Sequence, residues 1–529
     1  MLNTPRSARG MVTTPHHLAS QSGLAELTSG RSAIEAVVAA AATLAVVYPH
    51  MSGLGGDGFW LISEPGRYPM AICAAGRAGE NVDADLYRRH GFAAIPTRGP
   101  LAANTVAGAV DGWRAALEIS EGWGYTPDLG RLFRDAIHYA EHGTYVTRSQ
   151  VLLTREGLAE LAGVPGFVAT FLDAGACPPM GTRLSNPALA RTFRRLAEAG
   201  LDDFYRGALA ADIAADLGRA GAPITAADLS EHRSELCAPL RFDLPGIRLF
   251  NLPPPTQGLA SLMILALLDR LGIEHGDGFA HLHGIVEATK RAFSDGNRHI
   301  GDPAHMTRDP ASLLDPDILD RAAARIDRAR AQPWEPDASG GDTVWLGAID
   351  GEGRSVSYIQ SIYFDFGSGL VLPETGILWQ NRGIAFTLGG EGPRALRPRA
   401  LPFHTINPAM AQFSDGRTMV YGAMGGDGQP QTQAAIFSRY AMLGQELQAA
   451  VTAPRWLLGR RWANEAATLK LEDRFDPSLV AQLREAGHEI EMVEPFSDLM
   501  GHAGAIVRHA DGTLEGACDP RSDGAVSAW

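Results

Sequence analysis

The chain has 529 residues, 45% hydrophobic and 20% charged, which is enough to bury a large core and leaves room for roughly two to four structural units. Its 46 Lys and Arg against 60 Asp and Glu give a formal charge of −14, a balance that repels phosphate backbones and anionic lipid heads and argues against nucleic-acid and membrane partners. The four cysteines, Cys73, Cys177, Cys237 and Cys518, include no CxxC pair and no His neighbour at ligand spacing, so neither a zinc site nor a dense disulfide framework is expected.

The first ten residues carry no apolar run of the secretory type, and the apolar stretch 36–47 is too short to cross a bilayer, so a cytoplasmic protein is expected. Ser32-Ala33-Ile34-Glu35 has the spacing of a capping box and predicts a helix buried on nearly all sides up to Val47. It leads into Tyr48-Pro49-His50-Met51-Ser52-Gly53-Leu54-Gly55-Gly56-Asp57-Gly58-Phe59-Trp60, a glycine-rich turn feeding an apolar strand. No Gly-Lys-Ser/Thr follows, and the order helix, turn, strand is the reverse of a phosphate-binding loop.

Residues 111–271 read as mainly helical scaffold, with amphipathic stretches at 132–142, 187–199 and 258–271 and no cluster of catalytic residue types. A further helix is predicted over 281–298. The Pro-, Gly-, Ser- and Asp-rich stretch 332–342 then reads as an exposed loop and a cleavage point. Strand signals follow at 343–349, 356–362 and 418–424, the first two joined by the turn Asp350-Gly351-Glu352-Gly353, which places Thr343 at the edge or mouth of a sheet.

Thr343 is the residue on which function turns. A chain cut before it begins with a threonine whose own α-amine, of ordinary pKa about 7.7–8.0, can accept the hydroxyl proton and create a nucleophile. By itself the position fits equally well a β-branched residue opening a strand.

The segments GGDTVWLGAIDGEG, FGSGLVLPETGILWQNRG, NPAMAQFSDGRTMVYGAMGGDGQPQTQ and YPHMSGLGGDGFW resemble, in order and across nearly the whole chain, the γ-glutamyltransferase family of N-terminal nucleophile hydrolases. The resemblance implies a four-layer αββα fold made as one proenzyme that cuts itself between Asp342 and Thr343, giving a large subunit 1–342 and a small subunit 343–529. Thr343 would be the nucleophile, Ser361 the group that hydrogen-bonds it, and Gly425 and Gly426 the backbone donors facing the oxyanion. No metal and no organic cofactor is implied. The assembly implied is the two-chain unit alone or a dimer of such units.

Departures from the family pattern bear on the substrate. Ala75 stands where an arginine would hold an α-carboxylate, with Arg77 two residues on as a shifted substitute. Ile384-Ala385 replace an aspartate pair, His404-Thr405 replace a serine pair, and Tyr363 replaces an asparagine. The pocket so described is smaller, has no amine site, and offers Arg382, His404, Thr405, Tyr363 and Arg77 as substrate-binding groups. Trp379-Gln380-Asn381-Arg382 with Phe403-His404-Thr405 resembles the oxamate amidohydrolase branch. That resemblance implies a small carboxylate amide as substrate, hydrolysis of oxamate to oxalate and ammonia, and a place in purine or ureide nitrogen catabolism. A γ-glutamyl hydrolase or transferase, a glutaryl-type acylase, and an uncleaved inactive binder are the alternatives. For Arg382 the other reading is a surface or structural ion pair, and for His404 a satisfied interior histidine.

Overall fold

A computed structural model describes residues 3–296, 299–334, 342–459 and 468–529. Two seven-stranded antiparallel sheets form its centre. One runs, edge to edge, through Ala525–Ala528, Met11–Thr14, Asp342–Ile349, Ser355–Tyr363, Asp57–Ser63, Met70–Ala74 and Glu235–Cys237. The other runs through Arg6–Ser7, Leu514–Cys518, Ala503–Arg508, Thr418–Ala423, Ala409–Phe413, Ile247–Asn251 and Leu240–Leu244.

Side-chain alternation explains the layering. In Asp57–Ser63 every residue is buried, yet Phe59 and Leu61 join the core between the sheets while Trp60 and Ile62 join the core under the helices. Asp342–Ile349 divides the same way: Trp345 and Ile349 face the second sheet, and Val344, Leu346 and Ala348 face helices. A strand covered on both faces must be apolar at both parities, which is why these segments lack an alternating polar pattern.

Ala33–Val47 packs on the outer face of the first sheet, buried along its whole length, and both halves of the Ser32/Glu35 capping box are formed. Gly258–Leu271, Phe279–Asp295 and Gly428–Phe437 cover the second sheet. The architecture is therefore the expected αββα sandwich.

The local expectations are corrected in three places. Residues 111–271 are helical only as far as Ala226–Glu231; three strands, Glu235–Cys237, Leu240–Leu244 and Ile247–Asn251, precede Gly258–Leu271. These strands lie at or next to sheet edges, and Arg241 and Asp243 on the solvent side mask the strand signal. The helix predicted over 281–298 spans Phe279–Asp295. Thr343 sits at the mouth of its sheet, but its strand is the third of seven and not an edge. The loop expected at 332–342 falls largely on residues 335–341, outside the described residues.

Candidate active site

The site is assembled at the start of the strand Asp342–Ile349. Asp342 pairs with Tyr363 and Val344 with Gln360, so the ladder bulges and sets both Ser361 and Ile362 opposite Thr343. Bulges re-aim side chains in this way beside functional sites. Thr343 is 2% exposed and its hydroxyl donates to Ser361 Oγ at 3.2 Å, while Gln429 Nε2 approaches Thr343 Oγ1 at 3.5 Å. Ser361 Oγ also accepts the Tyr363 backbone N–H at 2.8 Å. The glycine-rich turn permits this crowding: a Cβ on residue 56 would overlap the Ser361 carbonyl.

Gly425 and Gly426, with φ of +120° and +53°, turn the chain from Thr418–Ala423 into the helix Gly428–Phe437, and Gln429 lies in that helix's first turn. Both backbone angles lie where a side chain is strained. The Gln257 amide donates to the Gly426 carbonyl at 3.0 Å and to the Thr405 carbonyl at 2.9 Å, tying this turn to the loop that carries His404 and Thr405.

Arg382 opens the short turn Arg382–Ala385 and is 1% exposed. Its guanidinium lies 3.4 Å from the centre of the Tyr363 ring, and Nη1 reaches Thr405 Oγ1 at 3.4 Å. Nε and Nη2, both buried, have no hydrogen-bond partner among the described residues. Burial pulls its pKa down, and Tyr363, Asp57 and Asp427 oppose the shift, so it remains a buried cation with donors to offer.

His404 is fully buried against Phe59, and neither ring nitrogen has a hydrogen-bond partner among the described residues. Burial first, and the Arg382 charge second, hold it well below the ordinary imidazole range, so it is neutral. Its Nε2 lies 3.5 Å from Asp57 Oδ2, a contact between a neutral ring and a carboxyl rather than an ion pair. Asp57 Oδ1 accepts from the Gly76 and Gly108 N–H groups, each at 2.9 Å, and from Gln380 Nε2 at 3.1 Å, whereas Oδ2 has no hydrogen-bond partner among the described residues. Burial lifts the Asp57 pKa to about 7 in spite of those three donors and Arg382.

The structure thus brings Thr343, Ser361, Tyr363, Arg382, His404 and Thr405 into one connected group, with Gly426 joined to it through Gln257. It does not bring in Arg77, whose side chain is 44% exposed and paired with Glu235 at 3.1 Å. Sequence reading had no role for Asp57, Gln380 or Gln429. Asp57 had one visible signal, a carboxylate at the start of a strand otherwise apolar throughout.

Among the described residues one group could hold a metal ion, His283, Glu287 and His488. Its ligand atoms are already engaged: His283 Nδ1 and His488 Nε2 share a hydrogen bond at 2.9 Å, and Glu287 binds Lys290 at 2.6 Å. No helix among the described residues is long and apolar enough to cross a membrane.

Residues 19–529 match the gamma-glutamyltranspeptidase family model. The chain is 54% identical over 526 residues to the oxamate amidohydrolase proenzyme of Klebsiella pneumoniae, covering 99% of both. It is 39% identical to a glutathione hydrolase-like proenzyme of Bacillus subtilis, covering 98% of each. Among solved structures, the cephalosporin acylase of Bacillus halodurans superposes with a TM-score of 0.91 at 32% identity, covering all of this chain and 97% of the other. The strand Asp342–Ile349 in the middle of an αββα sandwich, and similarity along the full length of these relatives, lead to one assignment: the chain belongs to the gamma-glutamyltranspeptidase family.

Proposed function

We propose that this chain is a self-processing N-terminal threonine amidohydrolase that converts oxamate and water into oxalate and ammonia. The observation that carries the substrate is the buried Arg382, which stands on Tyr363, the residue that pairs with Asp342 next to Thr343, and whose Nε and Nη2 have no hydrogen-bond partner among the described residues. A carboxylate meets those two N–H groups in the fork geometry that guanidinium favours. The 54% identity to an oxamate amidohydrolase proenzyme supports the same reading.

In maturation, Thr343 Oγ1 attacks the Asp342 carbonyl carbon, the amide nitrogen leaves as the new α-amine, and water cleaves the resulting ester. Large and small subunits, 1–342 and 343–529, result. In turnover the α-amine takes the Oγ1 proton and Oγ1 attacks the amide carbon of oxamate. The tetrahedral oxyanion faces the turn at Gly425 and Gly426. Ammonia leaves with a proton returned from the amine, and water releases oxalate from the oxalyl ester. Ser361 steadies Oγ1, and the carboxylate on Arg382 holds the amide in register.

The test follows ammonia released from oxamate by the purified protein, with a chromogenic γ-glutamyl anilide in parallel. Ammonia from oxamate with little anilide cleavage is expected; anilide cleavage without ammonia overturns the substrate. Thr343→Ala is expected to leave one intact band on a denaturing gel where the parent protein gives two, and to abolish turnover.

A further inference from the structure

We infer that the Asp57–His404 pair takes up a proton when a carboxylate binds beside Arg382, so that Asp57, a positioning residue, sets the charge of the pocket through His404. This rests on Arg382 being the carboxylate receptor.

The inference starts from a charge count in a site closed to water. Arg382, Asp57 and His404 are 1%, 0% and 0% exposed, and Asp57 Oδ2 and both imidazole nitrogens lack hydrogen-bond partners among the described residues. With Asp57 ionised, its charge cancels that of Arg382. An incoming carboxylate then leaves one uncompensated negative charge in a low-dielectric interior, a state that buried sites avoid by binding a proton. With a proton on the pair, Arg382 and the carboxylate balance.

Geometry says where the proton goes. Asp57 Oδ1 is occupied by Gly76, Gly108 and Gln380, so the free oxygen is Oδ2, which faces His404 Nε2 at 3.5 Å. A proton on Oδ2 points at that nitrogen. The imidazole, with Nδ1 as its other open atom, is then fixed as a neutral group rather than as a second cation.

The other buried side chains around the pair do not take up the proton, and the Thr343 α-amine of the mature chain, with an ordinary pKa of about 7.7–8.0, is separated from Asp57 by the Asp57→Asn variant. Cys73 on Met70–Ala74, Tyr358 on Ser355–Tyr363 and Tyr205 on the turn Asp203–Arg206 interact with the Asp57 charge, and burial pushes each of them up, so all three stay neutral near pH 7. Around Arg382 stand Tyr363, also pushed up by burial, and the oppositely charged Asp427 and Arg394. Asp57 is the buried acid of this set whose titration falls near neutrality, at about 7.

The experiment measures KM for oxamate from pH 6 to 9. With the parent protein KM is expected to rise above pH 7 towards about tenfold per pH unit, the slope for one linked proton. Asp57→Asn keeps an oxygen for Gly76 and Gly108 but cannot ionise, and its KM is expected to be flat over that range. A flat parent profile, or the same slope in Asp57→Asn, overturns the inference. A second measurement needs no turnover: calorimetric titration of the mature parent protein and of Asp57→Asn with pyruvate, a monocarboxylate of oxamate's shape with no amide to hydrolyse, at pH 8 in two buffers of different ionisation heat. Close to one proton taken up per pyruvate is expected for the parent and far less for Asp57→Asn; parent binding without proton uptake, equal uptake in the two proteins, or no binding to the parent overturns the inference. Failure of oxamate turnover alone sinks the substrate assignment and leaves the calorimetric result to decide the proton.

Discussion

The Arg382 guanidinium rests 3.4 Å from the centre of the Tyr363 ring, and Tyr363 holds that ring in place with a left-handed φ of +79°. A bulky residue there costs roughly 1–2 kcal/mol of backbone strain. Burial of the ring, the N–H bond to Ser361 and the cation–π contact, about 2 kcal/mol when desolvated, offset it. Tyr363→Ala keeps the strain and loses the stack, while Tyr363→Gly loses the stack and relieves the strain. Urea denaturation is expected to find the glycine variant more stable than the alanine variant by about 1 kcal/mol, and both below the parent.

Arg382→Lys keeps a positive charge but cannot offer two parallel donors or stack flat on the ring. Losing one charge-assisted hydrogen bond of about 1.5–3 kcal/mol predicts kcat/KM for oxamate lower by roughly 10- to 150-fold, expressed mainly in KM. Steady-state kinetics on the mature lysine variant decide this; an unchanged KM removes Arg382 from the carboxylate site.

Ser361 touches both Thr343 Oγ1 and the Tyr363 backbone N–H, so Ser361→Ala loses the contact to the proposed nucleophile and takes the acceptor from a buried donor. We expect kcat to fall by about 10- to 100-fold, with a smaller change in KM and slower appearance of the two fragments. Ser361→Thr retains the hydroxyl and is expected to recover most of the loss. Rates from purified mature enzyme, set beside the band pattern over time, separate maturation from turnover.

Asp57 also links stability to pH. Its folded-state pKa of about 7 lies above the ordinary carboxylate value of 3.8, so between those values the folded chain binds the proton and the unfolded chain does not. Stability from this group is therefore greatest at the acid end and declines as pH rises from about 4 to 7, by an amount on the order of 4 kcal/mol. Asp57→Asn has no such dependence. Melting temperatures at pH 5 and pH 8.5 are expected to show the asparagine variant gaining on the parent at the higher pH; a constant difference shows that Asp57 does not titrate in this window.

The elements governed by neighbours in sequence were legible without coordinates. The Ser32 capping box, the 187–199 and 258–271 helices and the hairpin starting at Thr343 are each fixed by contacts within a few residues, and each appears within a residue or two of its expected span. The strands 235–251 were not legible, because at a sheet's margin exposed charges such as Arg241, Asp243 and Arg248 interrupt the apolar signal even where Leu240–Leu244 and Ile247–Asn251 form a tight hairpin. Arg77 was misleading because spacing along a strand gives a face but not a partner, and Glu235 on the neighbouring strand claims it.

By itself the sequence determined the family and the fold: a threonine at a loop-to-strand junction, a glycine pair at a turn, and motifs in family order mark out where the site lies, because backbone requirements are written locally. Only the tertiary structure decided the electrostatics. Residues 57, 382 and 404 are far apart in the chain, and their charges depend on the water they lose and on the groups they meet when the sheets close. Desolvation and distance through space turn an aspartate in a glycine-rich turn into an acid titrating near 7 and leave Arg382 with two open donors.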